Sequence, residues 1–95
     1  MTEIHAHRLS SALVSKGFER VEASHHTMFW LMVRGTRRGI RTRISHGQRK
    51  ADDWLLSEVA RELHLSKREL LELIECQISG DDYARLMIER GCLRP

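Results

Sequence analysis

The sequence predicts an α+β domain: one helix, three antiparallel strands, then further helices. Three patterns predict it. A helical apolar period runs over the first sixteen residues and stops at Gly17. An unbroken apolar run from Met28 to Val33 is followed, across Gly35, by strict alternation from Arg37 to Ser45. Two Ser-x-x-acid motifs, Ser66 to Glu69 and Ser79 to Asp82, then open helices.

Residues 3–16 read as a helix because Ala6, Leu9, Ala12 and Leu13 recur at helical spacing, with Thr2 as cap. Gly17 supplies a left-handed stop, and a strand follows from Phe18 to Ala23. Residues 25–33 read as a strand that is apolar on both faces, with Phe29, Leu31 and Val33 opposed to Met28, Trp30 and Met32; such a strand is central and covered on both sides. The return strand, Arg37 to Ser45, places Ile40, Thr42 and Ile44 on one face and Arg37, Arg41 and Arg43 on the other. Gly47 breaks it, and Gln48-Arg49-Lys50 reads as a basic loop. A helix capped by Asp52 or Asp53 runs to Leu63, burying Leu55, Leu56, Val59, Ala60 and Leu63. A short helix after Ser66 turns Leu70, Leu71, Leu73 and Ile74 inward. A last one after Ser79 carries Tyr83, Met87 and Ile88 and ends at Gly91. The expected organisation is a single domain over 1–95, with its core at about 3–75 and a helical extension at about 76–95.

Charge is unevenly divided. Residues 1–50 carry ten Lys/Arg against three Glu, and residues 51–95 carry six against ten Asp/Glu, so the net +3 conceals about +7 followed by −4. Arg34, Arg37, Arg38, Arg41, Arg43, Arg49 and Lys50 form a stretch without an acid, which points to a polyanionic partner. The bland reading is a solvated face. No apolar stretch approaches the roughly 20 residues of a membrane span, and the first residues lack a signal-peptide pattern, so a cytoplasmic protein without a membrane partner is expected. Two cysteines are too few for a disulfide framework; both are expected reduced, Cys76 as a small buried side chain. The aromatics Phe18, Phe29, Trp30 and Trp54 adjoin apolar runs and read as core, which leaves no aromatic platform for stacking bases.

Six histidines invite two readings. None shows zinc-ligand spacing, so neither a metal nor another cofactor is expected. His5, His7 and His64 read as solvated. His25, at the mouth of the middle strand, and His46, before Gly47, suit proton transfer near neutral pH. Phosphodiester cleavage in RNA needs a base for the 2′-hydroxyl, a cation for the developing charge and an acid for the leaving oxygen. His25 is the candidate base, His46 a second acid or base, and the arginine strand the phosphate holder, with both gripping one phosphate. In the alternative reading both histidines are structural.

The order of elements and several short motifs resemble the HicA (YcfA-like) mRNA interferase toxins over about residues 9–74. Gly17-Phe18 matches the family's Gly-Phe after the first helix, Ser24-His25 its Ser-His, His46-Gly47 its His-Gly, and Leu65-Ser66 its Leu-Ser before a helix. Ala23 stands where the family has glycine. The resemblance implies a double-stranded-RNA-binding-like fold, a metal-independent endoribonuclease of a type II toxin–antitoxin system, and His25 as the catalytic residue. It also implies RNA as substrate; by the charge pattern above, Arg37, Arg41, Arg43, Arg49 and Lys50 are expected to bind it. A HicB-type antitoxin or a second copy of the chain would cover the free sheet face. The alternative is a non-catalytic RNA- or protein-binding module on the same fold.

Overall fold

The computed structural model describes residues 4–94. Its elements are β1 (Ile4–His5), α1 (Ala6–Ser15), β2 (Phe18–Glu22), β3 (His26–Val33), β4 (Thr36–Ser45), β5 (Lys50–Ala51), α2 (Asp53–Glu62), α3 (Lys67–Ile74) and α4 (Gly80–Glu89). The protein is α+β, with a three-stranded antiparallel sheet in the order β2-β3-β4, four helices and a small ribbon of β1 with β5.

The middle strand is central, as its apolar run requires, but it is sealed on one side only. Thr27, Phe29 and Leu31 of β3 and Ile40, Thr42 and Ile44 of β4 are buried against the helices. On the other face His26, Met28, Trp30 and Met32 are half-buried and Arg37, Arg41 and Arg43 are exposed. Pairing runs from Val21 opposite Met28 to Trp30 opposite Arg41 and Met28 opposite Arg43. A bulge between Trp30 and Met32 sets Arg37 opposite Met32, so that residues 38–40 bow out beside Leu31.

Several expectations change. The first helix begins at Ala6, not at residue 3, because Ile4 and His5 pair with Ala51 and Lys50, and the Ala6 N–H donates to the Arg49 carbonyl at 2.9 Å. Lys50 thus belongs to a strand rather than a loop, and the Thr2 cap lies outside the described residues. His25 sits in the β2–β3 turn, where the Ala23 N–H donates to the His26 carbonyl. Among the aromatics, Trp54 is 71% exposed whereas Tyr83 is fully buried. Trp54 follows the capping residue Asp52, whose carboxylate accepts from the Leu55 N–H, and that first turn faces outward. Cys76 is likewise exposed, because it occupies a left-handed position (φ 64°) just past the end of α3.

The last helix is part of the core rather than an appendage. Tyr83 and Met87 are fully buried in the same apolar cluster as Phe29 and Leu70. The Tyr83 hydroxyl donates to the Leu63 carbonyl at 2.9 Å, satisfying a group left over at the end of α2, and its ring lies 5.7 Å from that of Phe18. Both expected capping boxes form. Ser66 and Glu69 bond reciprocally, as do Ser79 and Asp82. Gly80 lets α4 start against the end of α1, since a Cβ there would come 3.0 Å from the Lys16 carbonyl oxygen. Among the described residues, no helix is long and apolar enough to cross a membrane.

Candidate nucleic-acid interface

β3 and β4 position two groups of polar side chains on opposite sides of the sheet. On the uncovered face the cross-strand register brings arginines onto Trp30. The Arg37 guanidinium carbon lies 4.8 Å from the ring centroid and that of Arg41 5.2 Å. Arg37 is also paired with Glu19 of β2 at 2.7 Å, whereas among the described residues no carboxylate lies within ion-pair range of Arg41 or Arg43. The free cations of this face are therefore Arg41 and Arg43.

The second group sits at the opposite end of β3 from the β3–β4 turn. In register, His25 follows His26 and His46 follows Ser45, and the His46 N–H donates to the His25 carbonyl at 3.1 Å. No local signal joins these two histidines; the antiparallel register brings their backbones into hydrogen-bond contact. Glu22 is the hub of this corner. Its carboxylate accepts from the Thr27 hydroxyl, lies 3.7 Å from His46 Nε2, and lies 3.6 Å from Arg20. The Thr27 hydroxyl, and after it the charges of Arg20 and His46, hold the Glu22 carboxyl below the usual glutamate value. A cleft of about 260 Å³ opens here, lined by Glu22, Arg20, His46 and, from the first turn of α1, His7. The carboxylate lies close to the His46 ring without hydrogen-bonding it, the guanidinium supplies positive charge, and the His7 imidazole faces the same space.

His46 thus leaves the sheet on the helix side with Ile44, while Arg41 projects to the other side. The strand phase does not bring imidazole and arginine row onto one phosphate; Arg20 is the guanidinium in the histidine cleft. What links the two sides is the edge of β4. A second cleft, of about 220 Å³, lies between Arg43 and the exposed Trp54, and Ser45 and Gln48 line both clefts. Arg49 and Lys50 follow at the β1–β5 ribbon, where Lys50 borders a further hollow with Ile4, His5 and Arg8.

Sequence reasoning missed His7, Arg20, Glu22 and Trp54. The signal for Arg20 and Glu22 was alternation in β2, which puts them in phase with Thr27 once pairing is known. Among the described residues, no three His, Cys, Asp or Glu side chains converge closely enough to hold a metal ion. No protein-family model, no curated protein and no solved structure matches this chain.

Proposed function

We propose that the chain is an RNA-handling domain of double-stranded-RNA-binding-like type that cleaves RNA by metal-independent acid–base catalysis, as a HicA-like mRNA interferase does. The observation carrying this reading is the shared wall of Ser45 and Gln48. It joins the Arg43–Trp54 cleft to the cleft holding Glu22, Arg20, His46 and His7. A strand lying along the β4 edge stacks a base on Trp54, gives one phosphate to Arg43 and delivers the next to the histidine corner. There His25, reaching in from the β2–β3 turn beside the cleft rather than from its lining, takes the proton of a 2′-hydroxyl, whose oxygen attacks the adjacent phosphorus. His46, with Glu22 nearby, gives a proton to the departing 5′-oxygen, and Arg20 faces the phosphoryl oxygens. The products are a 2′,3′-cyclic phosphate and a free 5′-hydroxyl. In this reading the protein works on cytoplasmic mRNA, and a HicB-type antitoxin is the partner that silences it.

One observation favours the non-catalytic alternative: Trp30 with its arginines lies on the face away from His46. An RNA cleavage assay in the presence of a chelator separates the two. Under the catalytic reading, wild-type protein cleaves, His46→Ala and His25→Ala each lose about a hundredfold or more in rate while still binding RNA, and Trp54→Ala weakens binding by about 1–3 kcal/mol. Binding without cleavage by the wild type makes the protein a binding module. Absence of both ends the RNA reading.

A further inference from the structure

At the other end of the sheet, where β3 turns into β4, α4 and the chain's last described residues enclose a cleft of about 380 Å³. Its floor is aliphatic: Val33, Ala84, Ile88 and Leu93. Its rim is cationic, with Arg34 from the hairpin turn, Arg38 from the bulge and Arg94 beyond α4. Among the described residues none of these three has a carboxylate within ion-pair range. Arg85, the fourth guanidinium, is 3.6 Å from Asp82, and Asp81 is the lone carboxylate on the lining. Two further observations mark a surface that awaits something. The Arg38 Nε is buried and makes no hydrogen bond, an unmet donor of the kind folded proteins rarely leave. Ile88, beside it, is 36% exposed although it belongs to a helix whose inner face is sealed.

We infer that this cleft binds an acidic, amphipathic peptide segment of a protein partner, seating one large apolar side chain on the Val33–Ile88–Leu93 floor and its flanking carboxylates on Arg34, Arg38 and Arg94. Charge complementarity selects carboxylates, because three unpaired guanidinium groups ring a floor without polar groups. The aliphatic floor separates a peptide from a nucleic acid: no aromatic ring lines the cleft for a base to stack on, whereas a leucine or isoleucine side chain can rest its apolar surface on the floor. Every lining residue belongs to the hairpin end of the sheet, to α4 or to the chain just beyond it, so nothing in the histidine corner takes part. The inference therefore stands whether or not the protein cleaves RNA.

The test is a titration of the full-length isotope-labelled chain, followed by amide chemical shifts, with three probes: a capped decapeptide of alternating Glu and Leu, the same peptide with Ser for Leu, and a single-stranded RNA decamer. The Glu/Leu peptide is expected to shift the amides of Val33, Arg34, Ala84 and Ile88, with the Glu/Ser peptide about tenfold weaker or more. The double variant Arg38→Gln/Arg94→Gln should lose about tenfold in peptide affinity while keeping its melting temperature, and Arg41→Gln should leave peptide affinity unchanged. Equal binding of the two peptides reduces the cleft to a diffuse charge effect and overturns the inference. Shifts confined to the Trp30 face, no shifts, or RNA perturbing these amides more than the Glu/Leu peptide overturn it as well.

Discussion

Replacing Glu19 should strengthen RNA binding, although it removes an ion pair from the fold. Glu19 sits on β2 opposite Trp30 and neutralises Arg37 at 2.7 Å, leaving Arg41 and Arg43 as the free cations of the open face. Each cation that displaces a counterion from single-stranded nucleic acid adds about −0.7 to the slope of log affinity against log salt, so these two give about −1.4. Glu19→Gln releases a third and moves the slope to about −2.1. Between about 50 and 200 mM salt, a slope of −1.4 costs about sevenfold in affinity and −2.1 about eighteenfold. Contacts elsewhere add equally to both proteins, so the quantity to read is the difference of about −0.7. Fluorescence anisotropy of a labelled single-stranded RNA, measured for both proteins over that range, gives it directly. The variant should bind more tightly at low salt, and Glu19→Gln/Arg37→Gln should return the slope to its starting value. An unchanged slope, or weaker binding by Glu19→Gln at low salt, refutes a phosphate-holding role for the open face, the role the binding-module reading gives it.

Further predictions concern the elements that hold the site. Tyr83→Phe should cost about 1–3 kcal/mol in urea unfolding, because the Leu63 carbonyl loses its buried partner. Burial raises the Tyr83 pKa, so the unfolded chain ionises first as pH rises; wild-type stability should fall above about pH 10, and the Phe variant should lack that limb. Glu22 titrates below its usual value of 4.5, so its contacts persist at neutral pH and weaken only as pH falls through its lowered folded value. Glu22→Gln should flatten that acid limb in thermal melts taken across the range. Gly80→Ala should destabilise the fold by about 1–3 kcal/mol, since its Cβ would crowd the Lys16 carbonyl. Gly39→Ala, with open space around it, serves as the control in the same denaturation assay.

Local signals carried most of the fold. Both capping boxes, the Asp52 cap, the glycine stops and the alternation of β4 are written within a few residues of where they act, and each formed. What depended on distant partners was not legible. Ile4 and His5 continue the helical period of α1, but Lys50 and Ala51 draw them into a strand. Trp54 read as core yet stands exposed, because which side of α2's first turn is covered depends on the tertiary arrangement. The histidine corner shows the same division. His25 and His46 stand out by residue type, yet their meeting depends on the β3–β4 register, and Glu22 joins them only through the β2–β3 register. The arginine row was read correctly as one face of one strand, but its separation from the imidazoles follows from a parity that no short motif reveals.

The layering has a consequence for how this molecule moves before it touches anything. Arg41 and Arg43 point out of one side of the sheet, while residues 51–95, with ten Asp/Glu against six Lys/Arg, supply three of the helices on the other. The chain is thus an electric dipole whose axis runs through the sheet. Near a polyanion such a body feels a torque as well as a pull, and it rotates until its bare strands lead. Salt that shortens the reach of that torque slows productive encounters before it loosens any finished contact.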